Sequence, residues 1–267
     1  MIVGFGHVVI AVRDLAPATK TYETLLGRAA VQQDARDGLA VAQIALGNIA
    51  VELIAPIGAG EGAERVAAAL EGGEGLKSLV FGAGDIERAH RRCERVGLAP
   101  GPITRRDGAP ASLRASTERT HGVRIFLLEA DPARKLPATE NDASVLGLDH
   151  LVIRSSDMER AAALYGARLG LDMRLDREVG GRRLMFFRCG DAIVEVAYDA
   201  GFEQDRLWGL SWRVSDADAA RARLAGAGVS VSEVRAGAKP GSRVFTVRDS
   251  TCNVPTLMIE QAAKRAD

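Results

Sequence analysis

The chain has 267 residues, enough for two ordinary domains that each bury a core of their own. Lysine plus arginine and aspartate plus glutamate both total 35, so the chain lacks the net positive field that draws proteins to nucleic acid or to anionic membrane surfaces. No apolar run approaches the roughly 18 residues of a membrane span, and no basic start with a small-residue cleavage site precedes the first strand-like run. These features favour a soluble, cytoplasmic protein with a small-molecule ligand, and neither a nucleic-acid nor a membrane partner.

The sequence contains an internal repeat, which decides the expected architecture. GFGHVVIAVRDL at 4–15 matches GLDHLVIRSSDM at 147–158, and the same offset of 143 positions places IAVELIAP at 49–56 over AIVEVAYD at 192–199. We call the first copy module A and the second copy module A′. Each copy carries one histidine and, 45 positions later, one glutamate; these residues are His7, Glu52, His150 and Glu195.

A second pair of similar segments follows the two copies. LVFGAGDIERAHRRCERVGL at 79–98 is similar to LSWRVSDADAARARLAGAGV at 210–229, and we call the corresponding modules B and B′. The order A, B, A′, B′ predicts one two-module domain at 1–130 and a second at 145–261. The polar, proline-containing stretch 131–144 has no periodic apolar face and is the predicted linker.

All four modules open with the same predicted elements, a strand followed by a helix. Alternating β-branched stretches such as VVIAV and LVIRS are typical of strands with one buried face, and each is followed by an aspartate that can cap a helix. Apolar residues one, four and eight positions after the cap form one helical stripe, and a glycine ends each helix. Further strand-like runs, including VELIA, LMFFRC and TLMIE, complete a βαβββ order. The predicted caps are Asp14, Asp85, Asp157 and Asp216.

This βαβββ order resembles that of the vicinal-oxygen-chelate superfamily over about residues 3–260. The opening motif is similar to that of the same superfamily: Gly-x-x-His, alternating apolar residues, an aspartate, and a helix that ends in Leu-Gly. The resemblance implies an α+β fold in which four βαβββ modules form two glyoxalase-like domains with curved mixed β-sheets. It also implies a divalent metal ion held in a cup by residues of the first and last strands of each module. The implied metal ligands are His7, Glu52, His150 and Glu195, and Glu52 and Glu195 are also the implied catalytic bases.

Modules B and B′ depart from that ligand pattern. Ser78 and Gly209 stand at their first-strand positions, and Phe126 and Thr256 at their approximate last-strand positions. Imidazole and carboxylate suit Zn²⁺, Mn²⁺, Fe²⁺, Co²⁺ or Ni²⁺, but two protein ligands seldom hold such an ion tightly. If A paired with A′, within a chain or across a homodimer, the two histidines and two glutamates would form one complete set of metal ligands. If each A pairs with its neighbouring B, every cup holds half a site.

Three functions are compatible with these residues. The first is a divalent-metal-dependent lyase or isomerase of the glyoxalase or epimerase type, acting on a small oxygen-rich carbonyl compound or acid. The second is a metal-free binding or resistance protein, for which aromatic walls such as Trp208 and Trp212 would serve. The third is an extradiol-type dioxygenase, which by resemblance would need a histidine near the position of Gly209. Homodimerisation is a further expectation from the resemblance.

Several arginines lie near the strands expected to form the cups, and a guanidinium can bind a carboxylate or phosphate in bidentate fashion. Solvated faces explain most of them, so no site role follows from the sequence. These residues are Arg124, Arg182, Arg183 and Arg213.

Overall fold

Each half of the chain forms one mixed eight-stranded sheet. The structure is a computed structural model, and it describes residues 2–130 and 143–262. Most of the predicted linker at 131–144 lies outside the described residues. The order strand, helix, three strands occurs four times, as predicted. The α+β fold class with four βαβββ modules is therefore confirmed.

The first half contains modules A and B. Its elements are β1 (Ile2–Ala11), α1 (Leu15–Leu26), β2 (Val31–Arg36), β3 (Leu39–Ala45), β4 (Ala50–Pro56), α2 (Glu61–Glu71), β5 (Gly75–Ala83), α3 (Ile86–Arg95), β6 (Thr104–Arg106), β7 (Ala109–Arg114) and β8 (Ile125–Glu129). The strand order is β2-β3-β4-β1-β5-β8-β7-β6, so the strands of A lie beside those of B in one sheet.

The second half contains modules A′ and B′. Its elements are β9 (Gly147–Ser155), α4 (Met158–Ala162) with a π-helical continuation (Ala163–Arg168), β10 (Asp172–Val179), β11 (Arg182–Cys189), β12 (Ala192–Tyr198), β13 (Arg206–Val214), α5 (Ala217–Gly226), β14 (Arg235–Ala236), β15 (Arg243–Val247) and β16 (Thr256–Glu260). The order β10-β11-β12-β9-β13-β16-β15-β14 repeats that of the first sheet.

The four predicted aspartate caps are confirmed. Each aspartate side chain accepts a hydrogen bond from a backbone N–H in the first turn of its helix, which satisfies a donor that the helix itself leaves free. The apolar stripe of each helix faces the interior; Tyr22 and Tyr165, its last members in A and A′, are fully buried. Gly27, directly after α1, adopts the left-handed conformation predicted for a terminating glycine (φ 67°).

Two features break the similarity between A and A′. An additional helix, α2, occupies the connection at 57–74 and packs against β4, whereas the corresponding connection at 199–205 is short. In the helix of A′, the N–H of Leu169 donates to the carbonyl of Leu164, five positions earlier, which is the π-helical pattern. Neither feature was predicted, because the repeat directs attention to what the copies share.

The chain packs as two compact units that do not coincide with the two halves of the sequence. One unit comprises Met1–Val9, Lys77–Lys135 and His150–Trp208, and the other comprises Ile10–Leu76, Leu136–Asp149 and Gly209–Asp267. The first therefore holds most of B and A′, and the second holds most of A and B′. The domain boundaries at 1–130 and 145–261 stay a prediction. Within the described ranges, no helix is long and apolar enough to cross a membrane.

Candidate functional site

In module A′ the predicted histidine and glutamate lie side by side. Strands β9 and β12 are parallel neighbours, with His150 opposite Ile193 and Val152 opposite Glu195. This register brings Nε2 of His150 to 3.7 Å from Oε2 of Glu195. Both side chains are largely shielded, with 18% and 16% of their surface exposed. The 45-residue spacing therefore does produce a spatial pair.

The pair lies on a face of the A′ sheet that carries a cavity. Alternate residues of a strand share a face, so His150, Val152 and Arg154 of β9 project to the same side. The cavity has a volume of about 410 Å³ and opens to solvent. Its lining combines two guanidinium groups, one carboxylate, one indole and aliphatic walls; the residues are Val152, Arg154, Val179, Gly180, Arg182, Leu184, Glu195, Ala197 and Trp208.

Arg154 is held in the cavity wall by two contacts. Its guanidinium carbon lies 3.2 Å from the centroid of the Trp208 ring, a stacked cation–π contact. Its Nη1 donates to Oδ2 of Asp199 at 2.7 Å. The backbone N–H of Gly201 and the charges of Arg154 and Arg182 lower the pKa of Asp199, so this carboxylate stays ionised. Arg154 is therefore paired with Asp199, and Arg182 lies near enough for its charge to act on the same carboxylate.

The equivalent glutamate in module A has different surroundings. Glu52 is buried, and its Oε2 accepts a hydrogen bond from Arg36 at 3.0 Å. The offset of 143 aligns Arg36 with Val179, which in A′ lines the cavity wall. Helix α2 packs against β4, the strand that carries Glu52. In module A, a guanidinium therefore compensates the glutamate.

His7 is half-buried on β1, and it belongs to a different compact unit from Glu52. His150 and Glu195 form a pair within one unit, and Glu52 pairs with an arginine within the other. Within a single compact unit, the histidine–glutamate site that can be built from the residues upward is the one in A′.

The B modules add no metal ligand at the equivalent positions. In β8, Phe126 lies opposite Val80, as Glu195 lies opposite Val152, so Phe126 does occupy the last-strand position. In β16 the equivalent residue is Leu257, opposite Ser211. The last-strand position predicted from the sequence, approximately Thr256, lies one residue too early. The loop before β16 differs in length from the corresponding loops of the other modules, so only the strand register determines this position.

The donor set does not fit a protein-held divalent ion of the usual kind. His150 and Glu195 supply two ligands, where such ions ordinarily take three or four from the protein. Across residues 2–130 and 143–262, no group of three or more histidine, cysteine, aspartate or glutamate side chains is placed to hold a metal ion.

Two residues of this site, Arg154 and Asp199, were missed in the sequence. A signal for Arg154 existed, since it follows His150 by four positions on a predicted strand and therefore shares its face. Asp199 lies just beyond β12, in a loop whose course the strand pattern does not determine. Arg182 and Trp208 were candidates without an assigned role.

The chain matches two family models. One, described as Glyoxalase-like domain, matches residues 5–170, which is more than half of the chain. The other, described as Glyoxalase/Bleomycin resistance protein/Dioxygenase superfamily, matches residues 149–246. The chain therefore belongs to the glyoxalase-like domain family, and the resemblance to the vicinal-oxygen-chelate superfamily is confirmed. No curated protein matches its sequence.

Solved structures that share the fold are distant in sequence. A triple mutant of 4-hydroxymandelate synthase from Streptomyces coelicolor superposes with a TM-score of 0.76 at 16% identity, covering 100% of this chain and 95% of that one. The Mn(II)-bound glyoxalase from Novosphingobium aromaticivorans gives 0.72 at 14% identity, covering 98% and 83%. A catechol 2,3-dioxygenase gives 0.68 at 14% identity, covering 99% and 90%. At these identities the similarity establishes the fold.

Proposed function

We propose that this chain binds a small organic acid in the A′ cavity, with the carboxylate of the ligand at Arg154 and Arg182. The observation that carries this proposal is that two guanidinium groups, those of Arg154 and Arg182, line one cavity. Arg154 is paired with Asp199, and an anion that enters the cavity would compensate the charge of Arg182. Guanidinium is well suited to this, because its fixed N–H groups match both oxygens of a carboxylate.

The rest of the lining suits the carbon skeleton of such an acid. Val152, Leu184 and Ala197 add aliphatic surface to the lining that also carries the guanidinium groups and Glu195. Contacts of Arg154 with Trp208 and Asp199 fix its side chain before a ligand arrives, which lowers the entropic cost of binding. This is the arrangement of mostly apolar walls with a few fixed polar groups that is typical of small-molecule sites.

Calorimetric titration with pentanoate, a simple five-carbon monocarboxylate, tests the proposal. We expect Arg182→Gln to weaken binding by about tenfold or more, which corresponds to roughly 1.4 kcal/mol. The matched control is Arg174→Gln, because Arg174 lies on β10 of the same module and does not line the cavity. Equal affinities of the two variants, or no binding by the wild type, would contradict the proposal.

A metal-dependent lyase or isomerase is the second candidate, and the 3.7 Å pair of His150 and Glu195 favours it. The Mn(II)-bound glyoxalase with the same fold supports metal chemistry for some members of this superfamily. In this candidate His150 and Glu195 would hold the metal ion, as the resemblance implies, and Glu195 would serve as the base when displaced from it; His7 and Glu52 are the ligands that the resemblance implies for the first copy. Water and the oxygens of the substrate would have to supply the missing ligands.

Elemental analysis of the purified wild type and of His150→Ala tests this candidate, with His7→Ala as the variant of the first copy. Stoichiometric transition metal that is lost in His150→Ala would support it. Metal content unchanged by both substitutions would count against it. The dioxygenase alternative lacks the histidine that its relatives would need where Gly209 stands.

A further inference from the structure

We infer that Asp199 determines the specificity of the A′ cavity and makes it select a monoanionic acid over a dianionic phosphate monoester. This inference rests on the proposed binding of an organic acid at Arg154 and Arg182. It concerns the charge of the acidic group on the ligand. Guanidinium binds carboxylate and phosphate alike, so the two arginines leave that charge open.

Asp199 lies directly after β12 and is held by three contacts. Its backbone N–H donates to the carbonyl of Ser155 at 2.9 Å. Its Oδ1 accepts a hydrogen bond from the backbone N–H of Gly201 at 3.0 Å, and its Oδ2 accepts one from Nη1 of Arg154 at 2.7 Å. The N–H of Gly201 and the charges of Arg154 and Arg182 lower the pKa of this carboxylate. Asp199 is therefore a fixed negative charge at neutral pH.

The module A residues at the three equivalent positions are uncharged. Under the offset of 143, the residues that align with Arg154, Arg182 and Asp199 are Ala11, Leu39 and Pro56. The two guanidinium groups and the carboxylate therefore occur together in one copy and are absent together from the other. A strand followed by proline serves equally well in module A, so the fold itself does not require a carboxylate at this position.

The charge of Asp199 acts more strongly on a ligand that carries more charge. Arg154 and Asp199 are only 20% and 21% exposed, so solvent screens their charges less than it does in bulk water. A ligand at Arg154 meets the charge of Asp199 across a single guanidinium group. Coulomb energy is proportional to charge, so a dianion is repelled about twice as strongly as a monoanion.

Three ligands with the same butyl tail separate charge from shape: pentanoate, butanesulfonate and butyl phosphate. Pentanoate and butanesulfonate are monoanions, and the sulfonate shares the tetrahedral shape of the phosphate. Calorimetric titration is carried out at about pH 8, well above the second pKa of a phosphate monoester near 6, so that butyl phosphate is a dianion. We expect the wild type to bind pentanoate about fivefold more tightly than butyl phosphate, or better.

Asp199→Asn provides the decisive variant. Asparagine keeps an oxygen that can accept a hydrogen bond from Arg154, and it removes the charge. The affinity ratio of pentanoate to butyl phosphate should fall by about tenfold, whereas the ratio of pentanoate to butanesulfonate should change by less than about twofold. The matched control Asp172→Asn neutralises an exposed carboxylate paired with Arg174 at 2.9 Å, and it should keep both ratios. A general loss of stability or affinity weakens all three ligands and leaves the ratios unchanged.

The outcomes distinguish this inference from the proposed function. If the wild type binds butyl phosphate as tightly as pentanoate, or if Asp199→Asn keeps the wild-type ratios, the role of Asp199 is wrong and acid binding stands. If none of the three ligands binds, or if Arg182→Gln leaves pentanoate binding unchanged, the proposed function itself is wrong.

Discussion

At the scale of single residues, a buried ion pair anchors the segment that leads to Trp208. The side chain of Asp205 is fully buried, and its Oδ1 accepts a hydrogen bond from Arg160 at 2.9 Å. The backbone N–H of Asp205 donates to the carbonyl of His121 at 2.9 Å. Trp208 follows three residues later and stacks on Arg154, so this anchor supports one wall of the cavity.

Asp205→Ala should therefore destabilise the chain strongly. Removing one partner of a buried pair leaves the other charge uncompensated, which costs about 3–5 kcal/mol. Asp172→Ala is the control, because it breaks the exposed pair with Arg174 and should cost at most about 1 kcal/mol. Urea unfolding measures both free energies. Similar losses for the two variants would show that Asp205 does not anchor this segment.

His121 gives the same region a pH dependence. Burial and the nearby Arg160 guanidinium lower the pKa of His121 in the folded chain, while the unfolded chain keeps the ordinary value near 6.5. The unfolded state therefore takes up the proton first. The stability that neutral His121 contributes is complete above about pH 6.5 and is lost as the pH falls toward the folded pKa.

His121→Asn should reduce this pH dependence. Asparagine tolerates the left-handed backbone of this position (φ 56°), so the turn is retained. We expect the wild type to lose more unfolding free energy than the variant between about pH 7.5 and pH 5.5. Parallel losses in the two proteins, measured by urea unfolding at each pH, would contradict this assignment.

The candidate residues themselves were predictable, but their surroundings were not. The internal repeat identified Glu52 and Glu195 as equivalent residues, because an offset of 143 positions can be detected in the sequence alone. Their different partners, Arg36 and His150, depend on which side chains the strand register brings together. Arg36 stands 16 positions before Glu52, a separation that carries no motif.

At the scale of elements, helix α2 distinguishes the two copies. Ala63, Val66 and Leu70 are its buried apolar residues, and their spacing of zero, three and seven is the stripe used by the other helices. The signal was therefore present in the sequence. It was overlooked because the segment has no counterpart in A′, whereas the four capped helices were predicted from features that recur.

Leu70→Ala tests how firmly α2 is packed. Leu70 is 4% exposed, and truncating a buried leucine costs about 2–5 kcal/mol through lost burial and the cavity left behind. Leu175→Ala on β10 removes the same atoms from a side chain that is 42% exposed, and it should cost less than half as much. Thermal or urea unfolding compares them. Equal costs would mean that α2 is only loosely attached.

At the scale of the whole molecule, the mixed β-sheets followed from the sequence, but the packing units did not. Four copies of one element order, combined with the resemblance, were enough to predict curved mixed sheets, whereas the joining of each A module with its neighbouring B module in one eight-stranded sheet was left open. The units join most of B with A′ and most of A with B′. Such packing depends on surfaces formed by residues far apart in the chain, and no local pattern encodes it.

Duplication has thus left two copies with one candidate ligand site. In A′ the glutamate lines a cavity that Arg154 and Arg182 also line. In A the equivalent glutamate is compensated by Arg36. We therefore expect one ligand per chain, bound in the second half of the sequence.

A crystal structure of the chain grown with pentanoate tests this expectation most directly. We predict one ligand per chain in the A′ cavity, with its carboxylate at Arg154 and Arg182. A ligand bound beside Glu52 instead, or a ligand in A′ with its carboxylate remote from both arginines, would contradict the account.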